Sequence, residues 1–514
     1  MIQNILIEES LLRWQDALVI GINLCIMVLI GIYAARRTKS ADAYFLAGRS
    51  MSGWVVGVSM MASVISSMTF LAMPAYTFEQ DWRFMPAHLL YALPAVLAYF
   101  FFMPFFRKGK VRSAYEYLEL RFNTWARIYA ATAFTISNLF RVGTILYTVS
   151  LAFEKMLGLP LPIVIFALGV LIAIYTIAGG LEAVIYTDVL QGISLIAGGI
   201  ICLPIILSEI PGGLGQLFTE AVVDGKFGIG STALVLDEKT VWVIILNLQF
   251  SFLQYFGTDQ VMIQRYLAMK TDADARLGLF LGVSLSIPVW FYFAFVGTAL
   301  YVFYKLNPTD IILGMEPEAV YPYFILTNLP AGIAGFVIAA LLAAAMSSID
   351  STLNALSSTV TTDFYRRFQN AEHTEQYYLR VGRWLTVLFS VILISIAMII
   401  HYARAQTILE LNTYLFPVFS AGMLSLFLLG FFTTRIGSKS AAIAVISTIF
   451  FVGAWVFLGS SAGEYLLPKI HNRLPDEFWM GILPHIFLVA VAFTASIIFK
   501  RDKDKDLTGL TIWN

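Results

Sequence analysis

The chain is short of most things a soluble enzyme uses. Only 13% of its 514 residues are charged, against about 25% in an ordinary globular protein. Neither sign is in excess, since 33 Lys and Arg face 33 Asp and Glu, so nothing suggests a nucleic-acid partner. The two cysteines, Cys25 and Cys202, both lie in apolar runs. That excludes a disulfide framework or a thiolate metal site and leaves them as small core residues. The five histidines (His88, His373, His401, His471, His485) are scattered. None forms the HExxH or paired spacing of a metal hydrolase, and no nucleophile–base pair stands out, so an enzyme is not expected. There is no low-complexity segment and no stretch polar enough for a soluble domain; the longest extramembrane stretch covers about residues 209–240. The first ten residues lack the basic region of a cleaved signal, so the first apolar run should be retained as a span.

What is present is apolar surface. Hydrophobic residues make up 59% of the chain, and a span needs about 20 of them in succession. On that rule an all-α integral membrane protein of about thirteen helices is expected, near 15–35, 52–74, 84–106, 127–154, 160–178, 184–208, 241–256, 277–305, 330–362, 382–402, 407–432, 439–459 and 480–499. The basic residues divide unevenly between alternate loops. One set holds 23 of the 33, the other nine, and the last, Arg141, lies inside a span. By the positive-inside rule this puts the N-terminus outside and the C-terminus inside.

Arg141 is the most informative single residue. The stretch Ile128–Tyr147 around it carries no other charge. A guanidinium keeps its proton at any ordinary pH, and placing one at bilayer depth costs roughly 2.5–3.5 kcal/mol on insertion scales. A transported anion would offset that cost.

Three places interrupt the apolar pattern. The second span gathers Ser63, Ser66, Ser67 and Thr69 at its centre. Such residues compete for backbone hydrogen bonds and favour an unwound segment lining a cavity, although small residues also serve plain helix packing. In the ninth span Ser347, Asp350 and Ser351 share one helical face, with Ser348 beside it. That oxygen stripe suits a hard cation; the alternative is a solvated aspartate at a span end. Asp188 follows the pair Gly179-Gly180 and is either functional or an acid favoured at a helix start. Two broken, polar spans, one in each half of the chain, point to a secondary transporter. A channel would need a continuous polar path, and the polar residues form only isolated clusters.

The same residues carry a resemblance. Tyr175-Thr-Ile-Ala-Gly-Gly-Leu-Glu-Ala183 with Asp188 and Gln191, Gly257-Thr-Asp-Gln-Val-Met-Ile-Gln-Arg265, Ser113-Ala-Tyr-Glu-Tyr-Leu-Glu-Leu-Arg-Phe122 and Ser347–Asn354 resemble the sodium:solute symporter family, in family order. The resemblance implies a LeuT-like fold of five plus five inverted spans within one transporter domain covering residues 1–514. Its core would be residues 52–432, with accessory helices at 15–35 and 439–499. Ser66-Ser-Met-Thr-Phe70, Pro74-Ala75, Asp81-Trp-Arg-Phe84 and Arg141-Val142 with Tyr147 are similar to the bacterial sodium/sialic acid branch.

That similarity implies a set of roles. Arg141, Ser66 and Thr69 would meet the substrate carboxylate and Phe84 would cover the substrate from outside, while Tyr255 matches the inner-gate aromatic of the family's sugar-transporting branch. Val64 stands where the branch tends to carry threonine, and His88 where it carries a glutamine that contacts the sugar. The coupling ion is Na+. Its main site would use Ala62, Ile65, Ala344, Ser347 and Ser348, and a second site Asp188, Ser347, Asp350 and Ser351, with Asp350 replacing a serine, so that two carboxylates there would either tighten sodium or hold a proton. The expected activity is sodium-coupled import of an acidic sugar, most simply sialic acid (N-acetylneuraminate), across the inner membrane by a chain acting as a monomer in the lipid bilayer. A sodium-coupled symporter of a monocarboxylate or of a neutral sugar is the alternative.

Overall fold

The computed structural model describes residues 12–108, 111–369, 371, 373–402, 422–471, 474–499 and 505–513. Among them the structure is helical throughout; the sole β contact is a bridge between Met51 and Met269. The main helices are α1 (Trp14–Arg37), α2 (Gly53–Val64), α3 (Ser67–Glu79), the irregular α4 (Met85–Lys108), α5 (Glu116–Arg121), α6 (Thr124–Leu157) and α7 (Leu161–Ser208). There follow α8 (Gly213–Val223), α9 (Val241–Thr258), α10 (Gln260–Ala268), α11 (Asp272–Leu306), α12 (Pro317–Asn328), α13 (Ile333–Thr359) and α14 (Glu375–Tyr402). The last three are α15 (Met423–Phe432), α16 (Ser438–Gly459) and α17 (Leu483–Ile498). Each expected span has an apolar helix over at least part of its range. The eleventh, expected at 407–432, is described only over Met423–Phe432, because residues 403–421 lie outside the described ones.

α13 is the axis. Nearly every residue from Ala334 to Thr359 is buried, so here a helix hydrophobic all round is a core helix. Asp16 of α1 fixes its outer end. The carboxylate accepts from the backbone N–H of Gly332 (2.7 Å) and Gly335 (2.8 Å) and pairs with Arg13 at 2.8 Å, an anion set on the exposed donors of a helix start. α7 wraps this axis together with α1, while α2 and α3 pack on α11.

The structure bears out one expectation and corrects another. The fifth and sixth spans, expected at 160–178 and 184–208, are the two parts of α7, which meet at a kink at Gly180. At about 1.5 Å per residue the 48 residues are enough to cross the membrane twice. Gly180 sits at φ 60°, ψ −150°, a conformation nearly confined to glycine. A Cβ there would lie 2.5 Å from Tyr44 Cδ2 and from the Tyr44 carbonyl oxygen.

The correction concerns the broken helix of the chain's second half. The ninth span is not broken: α13 runs straight through Ser347–Asn354. Its hydroxyls bond back along the helix, Ser347 to the Ala344 carbonyl (3.1 Å), Thr352 to that of Ser348 (2.8 Å) and Ser357 to that of Asn354 (3.0 Å). They are thereby satisfied without unwinding it. The break falls in the seventh span instead. Asp259, extended at φ −80°, ψ 128°, separates α9 from α10, and its carboxylate accepts from the Val261 N–H at 2.8 Å. An N-capping aspartate starts a new helix and so stops the old one.

Polar contacts tie the two broken helices together and to their surroundings. Met51 N–H donates to the Ala268 carbonyl and Lys270 N–H to that of Met51, both at 3.0 Å, joining the end of α10 to the start of α2. At the far end of α3, Lys226 Nζ donates to the carbonyls of Phe78 (2.6 Å), Glu79 (3.2 Å) and Gln80 (3.1 Å). A cation there satisfies the orphan carbonyls of a helix C-terminus. At the opposite end Arg127 pairs with Asp363 (2.7 Å) and Glu119 (2.8 Å), and Glu119 with Arg367 (2.6 Å).

Candidate functional site

The first half of the site is a helix break. α2 ends at Val64 and α3 begins at Ser67, and the two axes bend by 49°. The Ser66 carbonyl accepts from the N–H of Thr69 (2.9 Å) and Phe70 (3.2 Å), which starts the new helix. The Ala62 carbonyl is met from outside the helix, by the Ser347 hydroxyl of α13 at 2.9 Å. Ser347 thus bridges the broken helix to the axis, where Ala62, Ala344 and Ser347 converge. Ser348 lies one residue on; its Oγ is buried and has no hydrogen-bond partner. A buried hydroxyl without a partner costs free energy. Carbonyls and hydroxyls with no charge among them are a donor set that a weakly held monovalent cation can take; of the five residues expected at the first ion site, Ala62, Ala344 and Ser347 are in contact and Ser348 is adjacent.

Of the four residues expected at the second ion site, Asp188, Asp350 and Ser351 are brought together, with an added member, while Ser347 bonds to Ala62 and Ala344 instead. Asp188 and Asp350 are fully buried, not solvated at a span end. Asp188 Oδ2 accepts from the Ser59 hydroxyl (2.5 Å) and from Arg265 Nη2 (2.8 Å). Asp350 accepts from the Tyr175 hydroxyl (2.7 Å) and the Ser351 N–H (2.5 Å). Arg265 was not foreseen. Counted by sequence among the loop cations, it is fully buried and reaches Ser59, Ser63, Ser351 and Asp188. The one available signal was its place at the end of the Gly257–Arg265 motif, where α10 resumes after the break.

Of the residues expected around a substrate, Val64, Ser66 and Thr69 lie at the first break, while Phe84 precedes α4, His88 is on α4 and Arg141 is on α6. Ser66 and Thr69 are buried where α3 starts, and Val64, half-buried, closes α2. Arg141 lies mid-way along α6, which packs against α3. Among the described residues no carboxylate is within ion-pair distance of Arg141. His88 is buried. Its Nδ1 is 2.9 Å from the Phe84 carbonyl, and its ring stands 4.5 Å from that of Trp290 and 6.0 Å from that of Phe252. Phe84 meets Tyr76 (4.9 Å) and Phe478 (6.0 Å).

A bundle with two broken helices facing a continuous polar one is the arrangement of a secondary transporter. The sodium:solute symporter family pattern matches residues 44–448. The chain belongs to the sodium:solute symporter family. It is 33% identical to the sodium/sialic acid symporter SiaT of Proteus mirabilis over 427 residues, covering 83% of this chain and 86% of that one. It is 30% identical to the sodium/sialic acid symporter NanT of Aliivibrio fischeri over 481 residues, 93% and 92% of the two chains. The structure is similar, at a TM-score of 0.88 and 30% identity, to a Na+-coupled sialic acid symporter solved in a substrate-bound outward-open state, covering 95% of this chain and 98% of that one. The nucleobase-cation symporter Mhp1 shares the fold alone, at a TM-score of 0.57 and 15% identity. The chain is therefore an all-α LeuT-like membrane transporter that couples transport to Na+, not an enzyme.

Proposed function

We propose that this symporter imports an acidic sugar, sialic acid (N-acetylneuraminate), by alternating access, through the sites described above. The observation that carries the reading is Arg141, a permanent cation inside a span with no paired carboxylate among the described residues. Anionic carboxylate and guanidinium match as a bidentate pair, and the two relatives described as sialic acid symporters support the choice of acid.

In the cycle, sodium enters the first site and holds α2 against α13 through Ala62 and Ser347. That fixes the start of α3 and presents Ser66 and Thr69 to the carboxylate, which then neutralises Arg141. Phe84 closes over the substrate from outside, and Tyr255 gates the inner path beside the second break. Only the loaded, charge-compensated core changes access. A second sodium sits at Asp188, Ser347, Asp350 and Ser351, so that two sodium ions with one monovalent anion carry net charge inward, a gain of about 2.3 kcal/mol per charge per 100 mV. The core is residues 52–432, the N-terminus lies outside, the C-terminus inside the cytoplasmic membrane, and the chain works as a monomer.

The test is uptake of radiolabelled N-acetylneuraminate into proteoliposomes, with and without an inward sodium gradient. Uptake should require sodium and vanish in Arg141→Ala; unchanged uptake in that variant would remove the anchor. A second reading, a monocarboxylate as substrate, draws on Val64 and on the aromatic surroundings of His88, which replace two polar contacts of the sialic acid branch. Sodium-coupled monocarboxylate transporters, the human type 1 among them at 26% identity over 471 residues, are also relatives. Competition by lactate or pyruvate without competition by N-acetylneuraminate would select that reading.

A further inference from the structure

Two buried carboxylates share one buried cation in the bundle interior. Asp188, Asp350 and Arg265 are each fully buried. Arg265 is engaged at all three nitrogens: Nε donates to Ser59 Oγ (3.0 Å) and Nη1 to the Val261 carbonyl (3.0 Å), while Nη2 meets Ser63 Oγ (2.6 Å), Asp188 Oδ2 (2.8 Å) and Ser351 Oγ (2.8 Å). Two hydrogens on Nη2 face three oxygens, so this nitrogen has nothing further to give. Its ion pair is with Asp188.

Asp350 is placed differently. Its Oδ2 accepts from the Tyr175 hydroxyl at 2.7 Å, and its Oδ1 from the Ser351 N–H at 2.5 Å and the Ser351 hydroxyl at 3.3 Å. All of these donors are neutral, and among the described residues no cation is within ion-pair distance of Asp350. Asp188 Oδ1, in the same cluster, is buried and has no partner. The cluster therefore counts two carboxylates against one guanidinium, with one carboxylate oxygen free to accept. A buried charge without a partner is costly, and one monovalent cation restores balance.

We infer that Asp350, and not Asp188, supplies the negative charge that the second sodium ion neutralises, while Asp188 is kept by Arg265 as its counter-ion and offers only its free Oδ1. The inference rests on the reading that a second sodium is bound here. It gives the replacement of serine by Asp350 a consequence: the second ion of this chain meets a net negative site, where the Asp188–Arg265 pair alone would offer a neutral one.

The experiment is a sodium titration of the purified protein, read as thermal stabilisation without substrate and as sodium activation of uptake. Asp350→Asn keeps an acceptor for Tyr175 and removes the charge. It should weaken the tighter-coupled sodium response about tenfold or more and turn cooperative activation hyperbolic. Asp188→Asn strands Arg265, so it should lower the melting temperature with and without sodium and leave cooperativity in the folded protein. Cooperativity and sodium affinity unchanged in Asp350→Asn would overturn the inference, as would Asp188→Asn losing cooperativity at undiminished stability. A wild-type activation curve that is hyperbolic would instead overturn the two-sodium reading itself.

Discussion

Ser347→Ala separates a structural bond from an ion ligand at one atom. The Ser347 hydroxyl donates to the Ala62 carbonyl at 2.9 Å, at the break of the α2–α3 helix, and approaches the Ala344 carbonyl at 3.1 Å. Its residue is fully buried, so water cannot replace the lost donor. Truncation removes a bond worth about 0.5–1.5 kcal/mol net and strands a buried carbonyl at about 1–3 kcal/mol. In potassium medium, where sodium is absent, the melting temperature should therefore fall. If the same oxygen also ligates sodium, the sodium concentration for half-maximal uptake should rise about tenfold or more, which is about 1.4 kcal/mol of binding. The two readouts come from one detergent-solubilised preparation, by fluorescence-monitored melting and by uptake after reconstitution. A lower melting temperature with an unchanged sodium requirement would refute the ion-ligand role and leave the bridge. An unchanged melting temperature in potassium would refute the bridge itself.

Three other outcomes are expected. Gly180→Ala should cost about 3 kcal/mol or more, combining strain near 1–3 kcal/mol from an unfavourable backbone region with a clash against Tyr44. The Tyr44 ring cannot retreat, since its hydroxyl is held by Thr386 at 3.0 Å; a variant melting like the wild type would contradict the kink. Glu119, in the loop helix α5, is pushed up by burial but held down more strongly by hydrogen bonds from Arg367 and Arg127, to about 2 from an ordinary 4.5. A carboxylate depressed in the folded state stabilises it above its unfolded value, and that contribution is lost as pH falls from about 4.5 through about 2. Melting curves of the wild type should show this acid limb, and Glu119→Gln should flatten it. Lys226→Met removes the ammonium from the carbonyls of Phe78, Glu79 and Gln80 and should loosen the outer end of α3, seen as faster hydrogen exchange across residues 75–80.

Much of the site was legible because its chemistry is expensive in a membrane. Arg141, Asp188 and Asp350 stand out against apolar neighbours, and the serines of the second span announce a break where one is found. Arg265 escaped because a basic residue near a span end reads as a loop charge; only packing puts it between Ser59, Ser63, Ser351 and Asp188. The second break escaped for a related reason. Ser347 and Ser351 are as polar as the broken second span, yet the Ser347 hydroxyl is taken up by Ala344 and Ala62 and that of Ser351 by Asp350, Ser63 and Arg265, so the helix survives. The break falls where Asp259 caps a new helix, one aspartate in an otherwise ordinary segment.

The sequence by itself determined the class of molecule and the order of its spans, and singled out the polar and charged residues inside them. Those follow from hydropathy, which is additive along the chain, and from the cost of charge in a bilayer. The tertiary structure decided which helix yields and which stays whole, and which carboxylate has a counter-ion. Those depend on donors and acceptors far apart in the chain, Ala62 with Ser347 and Asp188 with Arg265, and a linear pattern does not carry them.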